Sequence, residues 1–157
     1  MKKLRIVYLG TPEFAATCLE TLLNGRHEVV GVVTAPDRES GRGRIITQSD
    51  VKKIALERGL PIAQPERLRS EEFLDLLKGW NADLGVVVAF RMLPEVVWSM
   101  PEMGTVNLHG SLLPQFRGAA PIQRAIMAGA TESGATTFLL TEDIDMGDML
   151  GQVVVPI

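Results

Sequence analysis

Cys18 is the only cysteine in 157 residues. That excludes an intrachain disulfide framework and points to a reducing compartment. No apolar run is long enough to span a bilayer. Lys2, Lys3 and Arg5 resemble the charged start of a secretory signal, but the apolar stretch behind them, Ile6 to Leu9, is too short, and Gly10-Thr11-Pro12 ends it. A cytoplasmic chain without membrane partners is expected. An excess of positive charge is also missing: the formal net charge is −3 and the pI about 5.4. That argues against a general polyanion binder, though not against a local basic patch. No internal repeat is visible. What remains, 46% hydrophobic and 22% charged, is the composition of an ordinary globular domain over 1–157 with a real core. A monomer is expected.

Several motifs are incomplete. The stretch YLGTPEF opens like a dinucleotide site, but Gly10 stands alone where G-x-G-x-x-G would let backbone approach a pyrophosphate, so a helix cap is the simpler reading. The acidic run TEDIDMGD, 141–148, has Met146 where a calcium loop needs a ligand, and it lacks the later glutamate; no metal is expected there. It reads as a solvated acidic turn, with one carboxylate free to point at a strand end. Ser111 has no G-x-S-x-G elbow around it. His27, beside a charged turn, reads as exposed; Cys18 reads as core, and Trp80 and Trp98 as packing residues at helix ends.

The elements follow from apolar spacing. Leu4–Leu9, Glu28–Thr34 and Leu84–Ala89 read as buried strands, and Thr105–Leu108 as a short one. Thr11 reads as the cap and Pro12 as the first residue of a helix carrying Phe14, Cys18 and Leu22 at helical spacing. Ser49 caps a helix over Asp50–Arg58 that Gly59 stops, and Ser70 caps another with Phe73, Leu74 and Leu77. Pro121 opens a helix to Ala128. Ala135–Thr141 and Met149–Val155 read as antiparallel neighbours. Together these predict an α/β, Rossmann-like fold: a mainly parallel sheet with helices on both faces and antiparallel strands near the carboxyl-terminal end. Such sheets bind ligands at the carboxyl ends of their strands, near a switch in strand order. Ala35–Gln48, rich in Gly and Arg, is long for a loop. It is expected to be mobile until a partner orders it.

Asn107 and His109, two apart on a strand, share one face, with Leu108 on the other. An amide that can donate to an oxyanion beside an imidazole that can pass protons suits carbonyl chemistry. By spacing alone, structural hydrogen bonding accounts for the pair equally well.

The longer pattern is more specific. Asn107-Leu108-His109-Gly110-Ser111-Leu112-Leu113-Pro114, then Arg117-Gly118, then Asp145-Met146-Gly147-Asp148, resembles the folate-dependent formyltransferases. Leu9–Ala15, Gly41-Arg42-Gly43-Arg44 and Ala119–Arg124 are most similar to the member that formylates initiator methionyl-tRNA. The resemblance implies 10-formyltetrahydrofolate as cosubstrate, with no metal and no covalent enzyme intermediate. It implies a catalytic trio of Asn107, His109 and Asp145, and folate contacts from Phe90, Met92 and Leu93 with Ser111, Leu112, Leu113 and Pro114. Gly41, Arg42, Gly43 and Arg44 would meet the tRNA. It implies too that 1–157 is the amino-terminal catalytic part of a longer protein whose carboxyl-terminal β-barrel helps bind tRNA. Other readings are an amino-sugar formyltransferase, a formyl-folate hydrolase, and a non-catalytic RNA-binding domain. Asp50, where many relatives have Pro, and Arg91, where many have Gly, depart from the pattern at loops or a pocket rim.

Overall fold

Ile6, Val7, Tyr8 and Leu9 are each at most 2% exposed, so the first strand is buried on both faces and needs a neighbour on each edge. The computed structural model describes residues 1–157 and resolves them into two compact units, Met1–Gly104 and Thr105–Ile157. The first unit runs β1 (Arg5–Gly10), α1 (Glu13–Leu23), β2 (Glu28–Val33), β3 (Arg38–Ser40), β4 (Ile45–Thr47), α2 (Asp50–Glu57), β5 (Ile62–Ala63), α3 (Glu71–Gly79), β6 (Leu84–Val88) and α4 (Glu95–Trp98). The second runs β7 (Thr105–His109), α5 (Pro121–Met127), β8 (Glu132–Leu139) and β9 (Met149–Pro156). Parallel strands with helices between them, then antiparallel strands towards the carboxyl-terminal end, are the class expected from the sequence.

In the first unit β1 pairs in parallel with β2 and β6, and β2 with β5, giving the order β5-β2-β1-β6. The chain moves outward one way from β1 through β2 and β5, then returns to its other edge with β6. The junction of β1 and β6 is therefore a switch point in strand order, where the carboxyl ends of both strands lie side by side. Burying four large side chains of β1 contributes about 1.5–3 kcal/mol each, enough to make this strand the anchor of the unit. Tyr8 adds a donor: its hydroxyl bonds to the Ala15 carbonyl at 2.6 Å, and burial pushes its ionisation well above the ordinary phenol range.

Gly10 is required by packing. A Cβ there would sit 2.7 Å from Ala15 Cβ and 2.9 Å from the Val88 carbonyl oxygen, so α1 and β6 close in only on a glycine. The same holds at Gly31, against which the Trp80 ring lies. Trp80 packs at the end of α3, as read from the sequence.

Ser49 and Ser70 cap α2 and α3 as expected, accepting from the amides of Lys52 at 3.0 Å and Phe73 at 3.3 Å. Thr11 does not cap α1. Pro12 holds the cap position without a side-chain bond, because Thr11 Oγ1 accepts from the Ala35 amide at 3.4 Å and is drawn to the end of β2. Cys18 is half-buried rather than core, and Phe14 is 39% exposed. His27 is not the exposed residue expected: it is half-buried, and its Nδ1 accepts from the Leu4 amide at 3.1 Å.

Ala35–Gln48 is not an irregular loop in this structure. β3 and β4 pair antiparallel, Arg38 opposite Thr47 and Ser40 opposite Ile45, closed by a turn with Gly41 and Arg44 at positive φ. The base of this ribbon is fastened. Asp37, just before β3, takes Lys52 Nζ at 2.6 Å and Gln64 Nε2 at 2.7 Å. Two sequence departures are accommodated nearby: Asp50 pairs with Lys53 at 3.1 Å, and Arg91 donates to the carbonyls of Glu66 and Pro65.

Asp83 fastens the start of β1 in a similar way. Its Oδ2 accepts from the Arg5 amide at 2.8 Å, and this bond holds the carboxyl below the usual carboxylate range, with Lys2 nearby at 3.7 Å. A carboxyl lowered on folding stabilises above its unfolded pKa of about 3.9 and loses that contribution as pH falls towards its folded value. Asp83→Asn is therefore expected to lower the urea midpoint by a constant amount from pH 7 to about pH 5, with the gap closing below about pH 4. A gap unchanged down to pH 2 would contradict this assignment.

In the second unit β7 pairs antiparallel with β8, and β8 with β9. Phe138, fully buried on β8, lies opposite Asn107.

Candidate active site

β7 extends one residue beyond its expected end and includes His109, which lies opposite Thr136. Strand alternation then puts Asn107 and His109 on one face and Leu108 on the other. His109 is 8% exposed. Its Nε2 lies 2.9 Å from the Phe116 carbonyl oxygen, which can only accept, so this nitrogen carries a hydrogen. Its Nδ1 lies 3.7 Å from Asp145 Oδ2, too long for a hydrogen bond but within ion-pair reach. Catalytic contacts are often long before a substrate closes the site. Asp145 is far from His109 in sequence, yet both side chains are about nine-tenths buried and face one another.

The segment after β7 builds a cradle for this pair. Phe116, Gly118 and Ala120 all have positive φ, so the chain doubles back tightly before α5. The reversal brings the Phe116 carbonyl to His109 and the Gly118 amide to Asp145 Oδ2, at 2.8 Å. Upstream, Ser111 is fully buried and its hydroxyl donates to the Gln115 carbonyl at 2.6 Å. Thr136 donates to the Ser111 carbonyl at 2.7 Å and accepts from the Leu113 amide at 3.1 Å, while Gln152 reaches both Thr136 and the Leu113 carbonyl. Ser111 is thereby committed to the turn. Leu113 is buried, Leu112 half-buried and Pro114 exposed. Gln152 and Thr136 gave no sequence signal beyond strand pattern.

Asp145 sits at positive φ in the turn between β8 and β9, while Glu142, Asp143 and Asp148 face solvent. One carboxylate of the acidic run is thus aimed inward. The turn lies flat on β8: Leu139 donates to the Asp148 carbonyl at 3.1 Å, and any Cβ on Gly147 would collide with the Leu139 carbonyl oxygen. Gly147→Ala must lift the turn. It is expected to cost roughly 1–3 kcal/mol of stability and to move Asp145 away from His109. A melting curve and a turnover assay check it; unchanged values in both would contradict the packing described.

In the first unit, a cleft of about 560 Å³ opens at the carboxyl ends of β1, β2 and β6, where the strand order switches. It is lined by apolar Pro12, Pro36 and Phe90, by hydroxyls such as Thr11 and Thr47, and by Arg38 and Arg91, with no carboxylate among its lining residues. The Arg91 guanidinium lies 5.3 Å over the Phe90 ring. Of the folate residues expected in this unit, Phe90 is half-buried, Leu93 buried and Met92 75% exposed. Arg42 and Arg44 stand exposed at the ribbon tip, where Arg44 lies 4.0 Å from Glu39.

A buried imidazole facing a carboxylate, on the same strand face as an amide, is equipment for acyl transfer. Comparison with known proteins places the chain in a family. The model of the family described as "Formyl transferase" matches residues 4–157. The chain belongs to the formyl transferase family. Within that family, the methionyl-tRNA formyltransferase of Bacteroides fragilis is 58% identical over 159 aligned residues, covering 100% of this chain and 49% of that protein. The one of Porphyromonas gingivalis is 53% identical, with the same coverage. The chain spans about half the length of the curated relatives it matches. Among solved structures, a glycinamide ribonucleotide transformylase of Geobacillus kaustophilus superposes with a TM-score of 0.76 at 27% identity, covering 99% of this chain and 84% of that one. A formyltetrahydrofolate deformylase of Pseudomonas syringae superposes at 0.77 and 24% identity, covering 99% and 52%, a likeness of fold alone.

Proposed function

We propose that this chain carries the catalytic centre of an enzyme that moves a formyl group from 10-formyltetrahydrofolate to the α-amine of initiator methionyl-tRNA. The observation that carries the reading is the buried His109–Asp145 pair, with Asn107 two residues before His109 on the same strand face. The amine attacks the formyl carbon and forms a carbon–nitrogen bond while the carbonyl electrons move to oxygen. Asn107 donates to that oxyanion. His109 gives a proton to the departing folate nitrogen as the old carbon–nitrogen bond breaks, and the attacking amine's proton leaves through Asp145 or a water. Phe116 holds the Nε2 hydrogen of His109 in place until a substrate atom replaces its carbonyl.

The acceptor rests on other features. A shared fold does not choose between water and an amine, since a deformylase superposes as well as a transformylase does. The basic ribbon favours an RNA acceptor: Arg42 and Arg44 are exposed at its tip, and Arg38 lines a cleft without carboxylates. Relatives named methionyl-tRNA formyltransferase at 53–58% identity support the same acceptor. A non-catalytic RNA-binding domain would keep the ribbon but have no use for the buried pair. The ribbon is expected to order further on tRNA.

The test is steady-state kinetics of Arg42→Ala, varying tRNA and formyl donor separately. Loss of one phosphate or base contact typically costs about 1–3 kcal/mol, so kcat/KM for tRNA should fall roughly 10- to 100-fold while the KM for the donor stays put. Unchanged tRNA kinetics would remove the ground for an RNA acceptor.

A further inference from the structure

Arg124 lies on α5 and is exposed. Its guanidinium nevertheless reaches back over the turn that precedes the helix. Nη1 donates to the Arg117 carbonyl at 2.6 Å and stands 3.5 Å from the Ala119 carbonyl, while the guanidinium carbon lies 5.8 Å over the Phe116 ring. This turn is where the chain adopts positive φ at Phe116, Gly118 and Ala120. A non-glycine residue in the left-handed region is strained, so Phe116 and Ala120 persist there only if the surroundings hold them. The α5 cap position, Ala120, offers no side-chain bond of its own. The same turn presents the Phe116 carbonyl to His109 and the Gly118 amide to Asp145.

We infer that Arg124 is a positioning residue: by holding the 116–119 turn it fixes the tautomer and orientation of the His109 imidazole and the place of the Asp145 carboxylate. A cation on a long side chain suits this task, because it can bond a carbonyl and lie over a ring at once. Two adjacent groups of the proposed site thus depend on one side chain that touches neither. The geometric part of the inference stands on contacts within the turn. Its consequence for turnover rests on the formyl-transfer reading.

The experiment separates the two. Imidazole nitrogen NMR of the 157-residue chain is tractable because these residues include only His27 and His109, and His27 serves as an internal control. In the wild type His109 should hold the hydrogen on Nε2. In Arg124→Met its signals should shift or broaden towards a mixture of tautomers, with His27 unchanged. Arg124→Lys, which can still donate to the Arg117 carbonyl, should stay close to the wild type. In turnover assays Arg124→Met should lower kcat roughly 10- to 100-fold, the scale of an ångström-sized misplacement, with both KM values little changed and lysine restoring most of the loss. An unmoved His109 in Arg124→Met overturns the inference, whatever the activity. A moved His109 in a protein that transfers no formyl group supports the positioning role and sinks the functional reading instead. Should Arg124→Met unfold, with His27 lost as well, Arg124→Gln and Arg124→Lys decide: equal His109 spectra and equal kcat in those two variants overturn the inference, and a lysine advantage in both supports it.

Discussion

Replacing His109 with alanine is expected to reduce formyl transfer by roughly two to four orders of magnitude, the usual contribution of a positioned proton donor. The variant should still fold. β7 is held to β8 by backbone pairing, from Val106 opposite Leu139 to His109 opposite Thr136, which the side chain does not supply. Some stability should go, because the Phe116 carbonyl loses its donor and a buried ring is removed, a loss of about 1–3 kcal/mol for the unpaired polar group. Circular dichroism and a melting curve check the fold, and single-turnover kinetics check the chemistry. Near-normal turnover in a folded variant would mean that His109 is a structural histidine tying a strand end to its turn. The bond to Phe116 makes that alternative concrete: the imidazole has a structural partner even without any substrate.

Asn107→Ala is expected to lower kcat by about 10²- to 10³-fold, equivalent to roughly 2.7–4 kcal/mol of transition-state stabilisation, with KM for both substrates little changed. The prediction follows from timing. A donor to an oxyanion matters only once charge has developed, so its loss appears in kcat and not in ground-state binding. Asn107 sits mid-strand opposite the buried Phe138, so truncation should not disturb the ladder. A rise in KM with kcat unchanged would make Asn107 a substrate-binding residue and leave the oxyanion without its proposed donor.

The parts of this fold legible in the sequence are those with a period or a cap. Continuous apolar runs marked β1, β2 and β6, because strands buried on both faces have no alternation to hide them. Ser49 and Ser70 marked their helices through a local bond made within three residues. Thr11 misled because its hydroxyl is claimed by a distant amide, a tertiary bond that no local rule contains. The β3–β4 ribbon was hidden for a different reason. Its strands are three residues each, joined by a turn of Gly and Arg, and what fastens its base is Asp37 with Lys52 and Gln64, residues 15 and 27 positions away.

The site divides in the same way. Asn107 and His109 came from strand alternation, which is local. Asp145 had no such signal; only the resemblance picked it from four acidic residues in its turn, and the fold explains the choice through Gly147, which lets the turn press onto β8. In sequence Arg124 enters only as the end of the Ala119–Arg124 stretch that carries the resemblance, with no role of its own. Its contacts depend on a turn whose backbone takes three positive-φ steps, and propensities are weakest at such places.

The most direct test of the central claim is the fate of the formyl carbon. The protein is incubated with 10-formyltetrahydrofolate labelled in that carbon, with and without methionyl-tRNA, and the label is followed. Label is expected on the methionyl α-amine of the tRNA, with little free formate in its absence and loss of the transfer in His109→Ala. Release as formate at the same rate whether or not methionyl-tRNA is present would contradict it.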